Sequence, residues 1–467
     1  MYYDILEPPI KRGDERLKSM SLSMAAAACG GKLVGCVDGS VPIRRAVIDS
    51  RTVEPGDLFV AYRGEKTDGH RYIQTALNKG AACCLAEYAP EGVQGPLILC
   101  DDVQKAFEAI AREYRQSLAL PVVGVTGSVG KTTTKEMISA VLARRYRVLK
   151  TEGNLNNQIG VPMTVSRLEQ EHEAAVIELG ISDFGEMRLL ASIARPTIAV
   201  FTVIGRAHLE FLHDLDGVFK AKTEMLELLP ADGVVIYNGD DAQLRKIDCA
   251  QKRVSYGFGE DCTLRASEVS LSKEGRTRAR IECGERFIRA DIPAFGRQMV
   301  YAALAAAAVG MELGLSDAEI EAGLASYATV GRRGAIADTG FLTLVDDSYN
   351  ANPESMRAAM DSLAQLPGRH VCILGDMLEM GPDSAQMHYD LGAYAREKGM
   401  DLILCCGPLC SELARGAGEN SRYFENTEQL RAALPELLKE GDAVLVKASR
   451  GMHLETIAEA IKELKRA

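Results

Sequence analysis

A glycine-rich turn in the first third of the chain holds the residues best suited to chemistry. After an apolar run it reads Thr126, Gly127, Ser128, Val129, Gly130, Lys131, Thr132 and Thr133. The two glycines allow backbone N–H groups to converge on phosphate oxygens. Lys131 supplies a positive charge, and Thr132 offers a hydroxyl to Mg²⁺ at the start of a helix. The turn therefore predicts a nucleoside triphosphate site, although Val125 stands where the usual signature has a glycine or another small residue.

Two further candidates follow segments that are predicted to be strands. Glu178 ends the apolar run 175–177, and His208 comes shortly after the run 198–203. Open α/β sheets bind ligands at the carboxyl ends of their strands, so both side chains are expected near the phosphate loop. A carboxylate and an imidazole in that position predict metal ligands. Lys222 lies on a predicted helix, where an exposed charged face is the default interpretation.

Two polar segments are dense enough to suggest ligand contacts. The stretch 154–162 carries three asparagines beside glycines, which suits amide contacts to a polar ligand, although a turn-rich loop explains it equally well. The stretch 346–353 reads Asp-Asp-Ser-Tyr-Asn-Ala-Asn-Pro directly after a predicted strand, which favours function over an ordinary turn. The segments 375–381 and 447–451 also follow strands, and are expected to line the same crevice.

Composition limits the partners and the compartment. The formal net charge is −11 and the basic residues are dispersed, which argues against nucleic acid as a partner. The 12 cysteines form no C-x-x-C pair and no metal-ligand spacing, so they are interpreted as reduced thiols. The charged N-terminus excludes a signal peptide, and no apolar run reaches the length of a membrane span, so a cytoplasmic location is expected.

The order of apolar runs predicts three α/β domains in the 467 residues. We predict a small α/β domain over 1–100, a central domain with a parallel sheet and helices on both faces over 101–328, and a Rossmann-like domain over 329–467. An antiparallel excursion is expected between Asp261 and Ile292. Strands are predicted in the last domain at 342–345, 371–374, 402–405 and 443–446. Residues 1–20 form an extension to which no function is assigned.

Together these residues resemble the ATP-dependent muramyl-peptide ligases of peptidoglycan synthesis. The resemblance runs from about residue 21 to the end and rests on the segments 49–51, 56–61, 68–70, 126–135, 154–162, 178–180, 207–210, 221–224, 331–332 and 346–353. The segment 346–353 discriminates most, because its form is typical of the members that add D-alanyl-D-alanine. The Asp-Asn-Pro-Arg motif of the members that add diaminopimelate or lysine is absent.

The resemblance implies a reaction and a division of labour. The first domain would bind the UDP end of UDP-N-acetylmuramoyl-tripeptide, the central domain ATP, and the third domain D-Ala-D-Ala. The terminal carboxylate would be phosphorylated to an acyl phosphate that the dipeptide amine attacks. The resemblance also implies two Mg²⁺ ions, carbamylation of Lys222 to an anionic metal ligand, and domain closure that brings Asp347 to ATP.

The resemblance assigns site residues position by position. The catalytic set is Lys131, Glu178, His208, Lys222 and Asp347. Nucleotide contacts are assigned to residues 126–133, Gln298, Arg332 and Asp347, and metal contacts to Thr132, Glu178, His208 and Lys222. Substrate contacts are assigned to Ser50, Arg51, Asp68, His70, Asn154, Asn157, Tyr349, Asn350 and Asn352.

One segment departs from the family pattern. Where the family usually has Gly-x-His-Asn-x-x-Asn, residues 296–302 read Gly-Arg-Gln-Met-Val-Tyr-Ala, without the histidine and both asparagines that help to recognise adenine. Gln298 is the residue here that can offer an amide to a base.

Other interpretations stay open. A muramyl or folylpolyglutamate-type ligase that uses another amine shares the same chemistry, and a degenerate paralogue would bind nucleotide or UDP-sugar without turnover. A regulatory GTPase is disfavoured because no Asn-Lys-x-Asp signal follows the loop. We expect a monomer, and the sequence leaves open whether the third peptide residue is diaminopimelate or lysine.

Overall fold

The chain folds around three β-sheets that follow one another along the sequence. The computed structural model describes residues 20–464, apart from 36–37, 65–66, 273–274 and 330. Of the extension 1–20, all but Met20 lies outside the described residues. Within the described part of the chain, no helix combines the length and the apolar character that crossing a membrane requires.

The first sheet is small and mostly parallel. Its strands are β1 (Lys32–Val34), β2 (Ala46–Val47), β3 (Leu58–Val60), β4 (Cys83–Ala86) and β5 (Leu97–Leu99). They are ordered β1-β5-β4-β3-β2, and only the β1–β5 pair is antiparallel. The helices are α1 (Leu22–Cys29), α2 (Ile73–Asn78) and α3 (Val103–Gln116). The amphipathic α3 buries Phe107 and Ile110 in the core of this sheet, as the apolar spacing predicts.

The central sheet has nine strands and carries the phosphate loop. They are β6 (Val122–Thr126), β7 (Val148–Lys150), β8 (Ala174–Glu178), β9 (Ile198–Phe201), β10 (Val234–Asn238), β11 (Lys252–Gly257), β12 (Leu264–Leu271), β13 (Thr277–Cys283) and β14 (Arg286–Ile292). The order is β14-β13-β12-β11-β10-β9-β6-β8-β7. Strand β13 is antiparallel to both β12 and β14, which confirms the predicted antiparallel excursion.

Helices cover the central sheet. They are α4 (Lys131–Leu142), α5 (Gly160–Ser166), α6 (Glu186–Ala194), α7 (Leu209–Leu212), α8 (Leu215–Thr223), α9 (Gln298–Glu312) and α10 (Asp317–Ala325). Two separate apolar clusters contain side chains from the central strands, one with α4, α9 and α10 and one with α5, α6 and α8. Helices therefore lie on both faces, as predicted for a parallel sheet.

The third sheet has the Rossmann-like arrangement that the sequence predicts. Its strands are β15 (Ala335–Asp338), β16 (Thr343–Asp346), β17 (His370–Gly375), β18 (Leu402–Cys406), β19 (Ser421–Phe424) and β20 (Ala443–Lys447), in the order β15-β16-β20-β17-β18-β19. The helices are α11 (Pro353–Leu363), α12 (Ser384–Glu397), α13 (Cys410–Ala417), α14 (Thr427–Leu437) and α15 (Glu455–Glu463). Among the described strands of this sheet, β15 is antiparallel to β16 and the other neighbouring pairs are parallel.

Strand order decides which loops meet. In the central sheet β6 lies between β8 and β9, so Glu178 pairs with Val125, and Thr126 pairs with Phe201. In the third sheet β20 lies between β16 and β17, which brings together the segments after Asp346, Gly375 and Lys447. The polar segments predicted at strand ends therefore gather at one edge of each sheet.

A buried arginine holds the segment between α3 and β6 in place. The guanidinium of Arg115, near the end of α3, donates to the carbonyl oxygens of Leu118, Leu120, Ala194 and Arg195 at 2.7–3.2 Å. Arg115 is only 4% exposed, and burial lowers its pKa to about 10. These bonds join the end of α3, the start of β6 and the end of α6.

We expect Arg115→Met to lower the free energy of unfolding by about 3 kcal/mol, because it leaves buried carbonyl oxygens without donors. Urea denaturation followed by circular dichroism measures the change. Arg144→Met, which changes an exposed arginine, is the control and should alter stability by less than about 0.5 kcal/mol. Equal effects of the two substitutions would contradict the proposed anchoring role.

Candidate active site

The phosphate loop takes its shape from close packing against the neighbouring strand. A Cβ at Gly127, whose φ is +150°, would lie 1.9 Å from Oγ1 of Thr202, so only glycine fits there. Gly130 has φ +82° and directly precedes α4. The N–H of Ser128 donates to the carbonyl of Val203 at 2.7 Å. The loop is therefore preformed at the N-terminus of a helix, the arrangement that binds phosphate.

The carboxylate of Glu178 joins three segments below this loop. Its Oε2 accepts a hydrogen bond from Oγ1 of Thr132 at 2.9 Å, and its Oε1 accepts one from Nδ2 of Asn156 at 2.9 Å. The Nζ of Lys135 lies 3.8 Å from Oε2 and donates to the carbonyl of Thr151 at 2.6 Å. Glu178 is 2% exposed and Lys135 is fully buried. The hydroxyl and the carboxylate therefore form a pair of hard oxygen ligands.

Two lysines, the half-buried Lys131 and the buried Lys222, place positive charge beside the loop. The Nζ of Lys131 donates to the carbonyl of Gly127 at 2.7 Å, and burial lowers the pKa of Lys131. Lys222 is 1% exposed, and its Nζ has neither a hydrogen-bond nor an ion-pair partner among the described residues. Burial, together with the charge of Lys131, holds the pKa of Lys222 well below its usual range. The pocket therefore favours an anion, or a neutral amine at Lys222.

His208 belongs to the same electrostatic group. Its backbone has φ +55°, and it directly precedes α7. Burial and the charge of Lys222 lower the pKa of His208, whereas Glu379 opposes this shift. Nδ1 of His208 lies 3.0 Å from Oε2 of Glu379, which comes from the third domain. A carboxylate at that distance orients the imidazole.

The segment after β16 is held by a buried lysine. The Nζ of Lys447 lies 2.5 Å from Oδ2 of Asp347 and donates to the carbonyl of Asn350 at 2.9 Å. Burial raises the pKa of Asp347, and the ammonium of Lys447 opposes that shift. Asn352 caps α11 by accepting from the N–H of Ser355 at 2.8 Å, so its side chain has a structural role here.

Two arginines flank this segment. Arg332 is bound within the third domain, where its NH1 lies 3.2 Å from Asp346 and its NH2 lies 3.0 Å from Glu459. The guanidinium of Arg333 stacks 3.6 Å from the ring centre of Tyr349. The charge of Arg333 lowers the pKa values of both Lys131 and Asp347, so this arginine lies within electrostatic range of both domains' candidate residues.

The central and third domains also touch through two further contacts. The amide of Gln298 accepts from Oγ of Ser362 at 2.9 Å and donates to the carbonyl of Phe295 at 3.2 Å. The N–H of Arg206 donates to Oε1 of Glu354 at 3.4 Å. Both ends of the Gln298 amide are thus engaged with protein groups in this structure.

The candidate residues of the first domain make two separate sets of contacts. Nδ1 of the buried His70 lies 2.7 Å from Oδ1 of Asp68, and its Nε2 accepts from the N–H of Glu87 at 2.9 Å. The imidazole is therefore held as the tautomer with a proton on Nδ1. Ser50 is buried, whereas Arg51 is exposed and pairs with Asp49, whose pKa it lowers to about 2.

Comparison with known proteins identifies the family. Three family models match: the Mur ligase family catalytic domain over residues 42–126, the Mur ligase middle domain over 125–310, and the Mur ligase glutamate ligase domain over 331–450. The chain is 38% identical to UDP-N-acetylmuramoyl-tripeptide–D-alanyl-D-alanine ligase of Bacillus subtilis, over 90% of this chain and 93% of that protein. This chain belongs to the Mur ligase family.

Other relatives agree with this Mur ligase assignment. The Escherichia coli protein of the same name is 35% identical over 95% of this chain and 99% of that protein. The crystal structure of MurF from Acinetobacter baumannii has a TM-score of 0.89 and 31% identity, over 96% of this chain and all of that chain. The MurF ligase of Thermotoga maritima in complex with ADP has a TM-score of 0.81 and 29% identity, over 90% of this chain and 97% of that chain.

The geometry of this Mur ligase separates the predicted residues into groups. Lys131, Thr132 and Glu178 are adjacent, and Lys222 and His208 lie within electrostatic range of Lys131. The residues that cluster around Asp347 belong to the third domain. The candidates Ser50, Arg51, Asp68 and His70 belong to the first domain, where Arg51 pairs with Asp49 and His70 with Asp68.

Sequence reasoning missed several contacts of this Mur ligase. Of the three neighbouring asparagines, Asn156 reaches Glu178, whereas Asn157 accepts from the N–H groups of Ile159 and Gly160 and so starts α5. Lys135 lies in the segment 126–135 that carries the resemblance, but the sequence assigned it no role. Its spacing from Lys131 places it on the same face of α4, and this was the available signal.

A buried Asp376, His388 and Cys410 cluster has the composition of a metal site. However, Nε2 of His388 accepts from the N–H of Met377 at 3.0 Å, and its Nδ1 lies 2.7 Å from the carbonyl of Ser384. Asp376 accepts from the N–H of Cys410 at 2.8 Å. Both ring nitrogens are therefore used in bonds that hold the loop after β17, and the cluster is structural.

We expect Lys135→Met to lower the free energy of unfolding by about 3 kcal/mol or more, because it leaves the buried carboxylates of Glu136 and Glu178 without their shared ammonium. Chemical denaturation measures this change. Lys150→Met removes an ion pair to the same Glu136 from a side chain that is 42% exposed, so it should have a much smaller effect. Similar losses in the two variants would show that Lys135 has no special role.

Proposed function

We propose that this Mur ligase joins D-alanyl-D-alanine to the terminal carboxylate of UDP-N-acetylmuramoyl-tripeptide and converts ATP to ADP and phosphate. This is the activity named for the relatives that match nearly its whole length. The observation that carries the proposal is the group of Lys131, Lys222 and the Thr132–Glu178 pair beside a preformed phosphate loop. Such a group suits phosphoryl transfer between anions.

The reaction has two steps. The carboxylate oxygen attacks the γ-phosphorus of ATP, and the bond between that phosphorus and the β-phosphate oxygen breaks. The products of this step are ADP and an acyl phosphate. The dipeptide ammonium loses a proton, and its nitrogen then attacks the acyl carbon. The carbon–oxygen bond to phosphate breaks, the nitrogen loses a second proton that the departing phosphate takes up, and an amide and inorganic phosphate result.

The charges in this pocket oppose the repulsion between the reactants. ATP and the acceptor carboxylate are both anions, and their approach requires fixed positive charge. Lys131 would contact the phosphates from α4, and Arg333 would add charge from the third domain. The overall charge of −11 means that this local group, and not the general field of the protein, must attract the nucleotide.

The donor set fits Mg²⁺. The hydroxyl of Thr132 and the carboxylate of Glu178 are hard oxygen ligands that already lie 2.9 Å apart. His208 and a carbamylated Lys222 would hold a second ion. When bound, the ions neutralise phosphate oxygens and the charge that develops during transfer.

The environment of Lys222 supports carbamylation. Its depressed pKa leaves a larger share of neutral amine, which is the form that attacks carbon dioxide. The nitrogen–carbon bond forms, a proton is released, and the side chain becomes an anion. An anionic carbamate is also better suited than an ammonium to a position beside Lys131 and His208.

The other assignments complete the proposed site. Asp347, held by Lys447, and Arg332 would contact the nucleotide from the third domain, and Gln298 could reach the base only by exchanging its present partners. Tyr349, Asn350 and Asn352 would line the dipeptide side. For the first domain, we assign Ser50, Arg51, Asp68 and His70 to the UDP-muramyl end.

The remaining assignments are a monomeric state and the substrate contacts of Asn154 and Asn157. A folylpolyglutamate synthase of Mycobacterium tuberculosis shares the fold, with a TM-score of 0.60 at 14% identity. This similarity concerns only the fold, so the amine substrate has to be identified by experiment.

Phosphate release tests the reaction. We expect release only when ATP, UDP-tripeptide and D-Ala-D-Ala are all present, and Lys131→Met should reduce the rate on the order of 10²-fold or more. Other amines in place of D-Ala-D-Ala should give little release. Absence of release with the full set would favour a binding protein without turnover, and release with another amine would favour a different ligase.

Carbamylation of Lys222 is tested by ¹³C NMR after incubation with ¹³C-bicarbonate. We expect a carbamate signal in the wild type and its loss in Lys222→Met, together with a fall in activity on the order of 10²-fold. Lys220→Met, which changes an exposed lysine on the same helix, should keep both the signal and the activity. A signal that persists in Lys222→Met would locate the carbamate elsewhere.

A further inference from the structure

The carboxylate of Glu354 reaches from the third domain into the central domain. Glu354 is the second residue of α11, after the capping residue Asn352 and Pro353. Its Oε1 accepts the N–H of Arg206 at 3.4 Å. Its Oε2 is buried and has no hydrogen-bond partner. One oxygen of a charged group is therefore held at the domain interface without a donor.

The central domain is shaped to receive this carboxylate. A Cβ at Gly205 would lie 3.2 Å from Cδ and Oε2 of Glu354, so the absence of a side chain makes room for it. The N–H and the carbonyl of Gly205 both lie 3.0 Å from Oγ of Ser128. Glu354 therefore packs against a peptide that is bonded to the phosphate loop. His208 follows Arg206 by two residues, so the candidate site of acyl transfer is close by.

An ionised oxygen without a donor is unfavourable in a buried position. The N-terminus of α11 stabilises a carboxylate in its first turn, but that field places no hydrogen-bond donor at Oε2. Glu428 is a useful contrast, because it occupies the equivalent position in α14, after the capping residue Asn426, and is exposed to water. The special feature of Glu354 is thus its location and not its place in a helix.

The missing donor has a natural source among the reactants. ATP and the acceptor carboxylate are anions and would be repelled, whereas the dipeptide carries an ammonium group with three N–H donors. Mg²⁺ would be held elsewhere, by the oxygen ligands of Thr132 and Glu178. We propose that Glu354 binds the ammonium group of the amine substrate and holds it beside the acyl phosphate. The inference rests on the proposed ligase activity.

This role differs from acting as a base. The carboxylate binds the charged form of the amine on arrival, and the proton is lost before the nitrogen attacks the acyl carbon. Because Oε2 is buried where α11 meets the loop after β9, the ammonium reaches Glu354 while the two domains are apart and is enclosed when they meet.

The decisive substitution is Glu354→Gln, which keeps the shape and an oxygen that can accept from Arg206 but removes the charge. We expect the KM for D-Ala-D-Ala to rise about tenfold or more, while the KM values for ATP and UDP-tripeptide stay within about twofold. Glu428→Gln removes the matched charge from α14 and should leave all three values unchanged.

A ligand without the ammonium separates charge recognition from positioning. N-propionyl-D-alanine has nearly the shape of D-Ala-D-Ala but lacks the amino group, so it serves as a competitive inhibitor. Its inhibition constant should be the same in the wild type and in Glu354→Gln. Equal weakening of this inhibitor and of D-Ala-D-Ala would instead assign Glu354 to domain positioning and overturn the proposal.

Two other results would also overturn it: an unchanged KM for D-Ala-D-Ala in Glu354→Gln, or a higher Mg²⁺ requirement as the sole effect. Phosphate release by the wild type separates this inference from the proposed function. If the wild type releases no phosphate with D-Ala-D-Ala, the ligase activity itself is refuted. If the wild type releases phosphate normally and Glu354→Gln has the same KM for D-Ala-D-Ala, only the role of Glu354 is refuted.

Discussion

The rest of the site depends on the hydrogen bonds that the carboxylate of Glu178 accepts. It ends a fully buried strand, so its position is set by the central sheet, and both of its oxygens accept hydrogen bonds from other segments. Through Thr132 and Lys135 it is connected to the helix that follows the phosphate loop, and through Asn156 to the loop after β7. Loss of this carboxylate would leave a lysine buried without full compensation and would free the two segments that flank the nucleotide site.

Positive charge beside this carboxylate gives the pocket its chemical character. Burial lowers the pKa values of Lys131 and Lys222, and the charge of Lys131 lowers that of Lys222 further, so the pocket favours an anion. The protein as a whole is acidic, so this charge is local. An arrangement of this kind is stable before substrate arrives only because most of the polar atoms around it are bonded to the backbone or to Glu178.

The site is shared between two domains, and each contributes what the other lacks. The central domain supplies the phosphate loop and the metal-ligand candidates, whereas the third domain supplies Asp347, Arg333 and the carboxylates of Glu354 and Glu379. The contacts between them involve side chains at the ends of helices and in loops, which can separate without disturbing either core. This division suits an enzyme that must admit three substrates and then exclude water from an acyl phosphate.

The departures from expectation are instructive. The edge strands β15 and β19 were not predicted, because each has only four residues and neither shows a clear alternation of apolar and polar residues. Gln298 was expected to face a nucleotide base, and it binds Ser362 and Phe295 in this structure. Among three neighbouring asparagines the pattern could not indicate which side chain faces Glu178, because that depends on the direction of each turn.

The sequence by itself determined the phosphate loop, the three α/β units and the strand-end positions of Glu178 and His208. These features depend on local spacing, since glycine conformation, helix starts and apolar periodicity act over a few residues. Only the tertiary structure decided that Lys135 and Asn156 meet Glu178, that Glu379 meets His208, and that Glu354 enters a cradle at Gly205. Those contacts join residues separated by up to about 170 positions, and strand order and domain packing, which local spacing does not encode, bring them together.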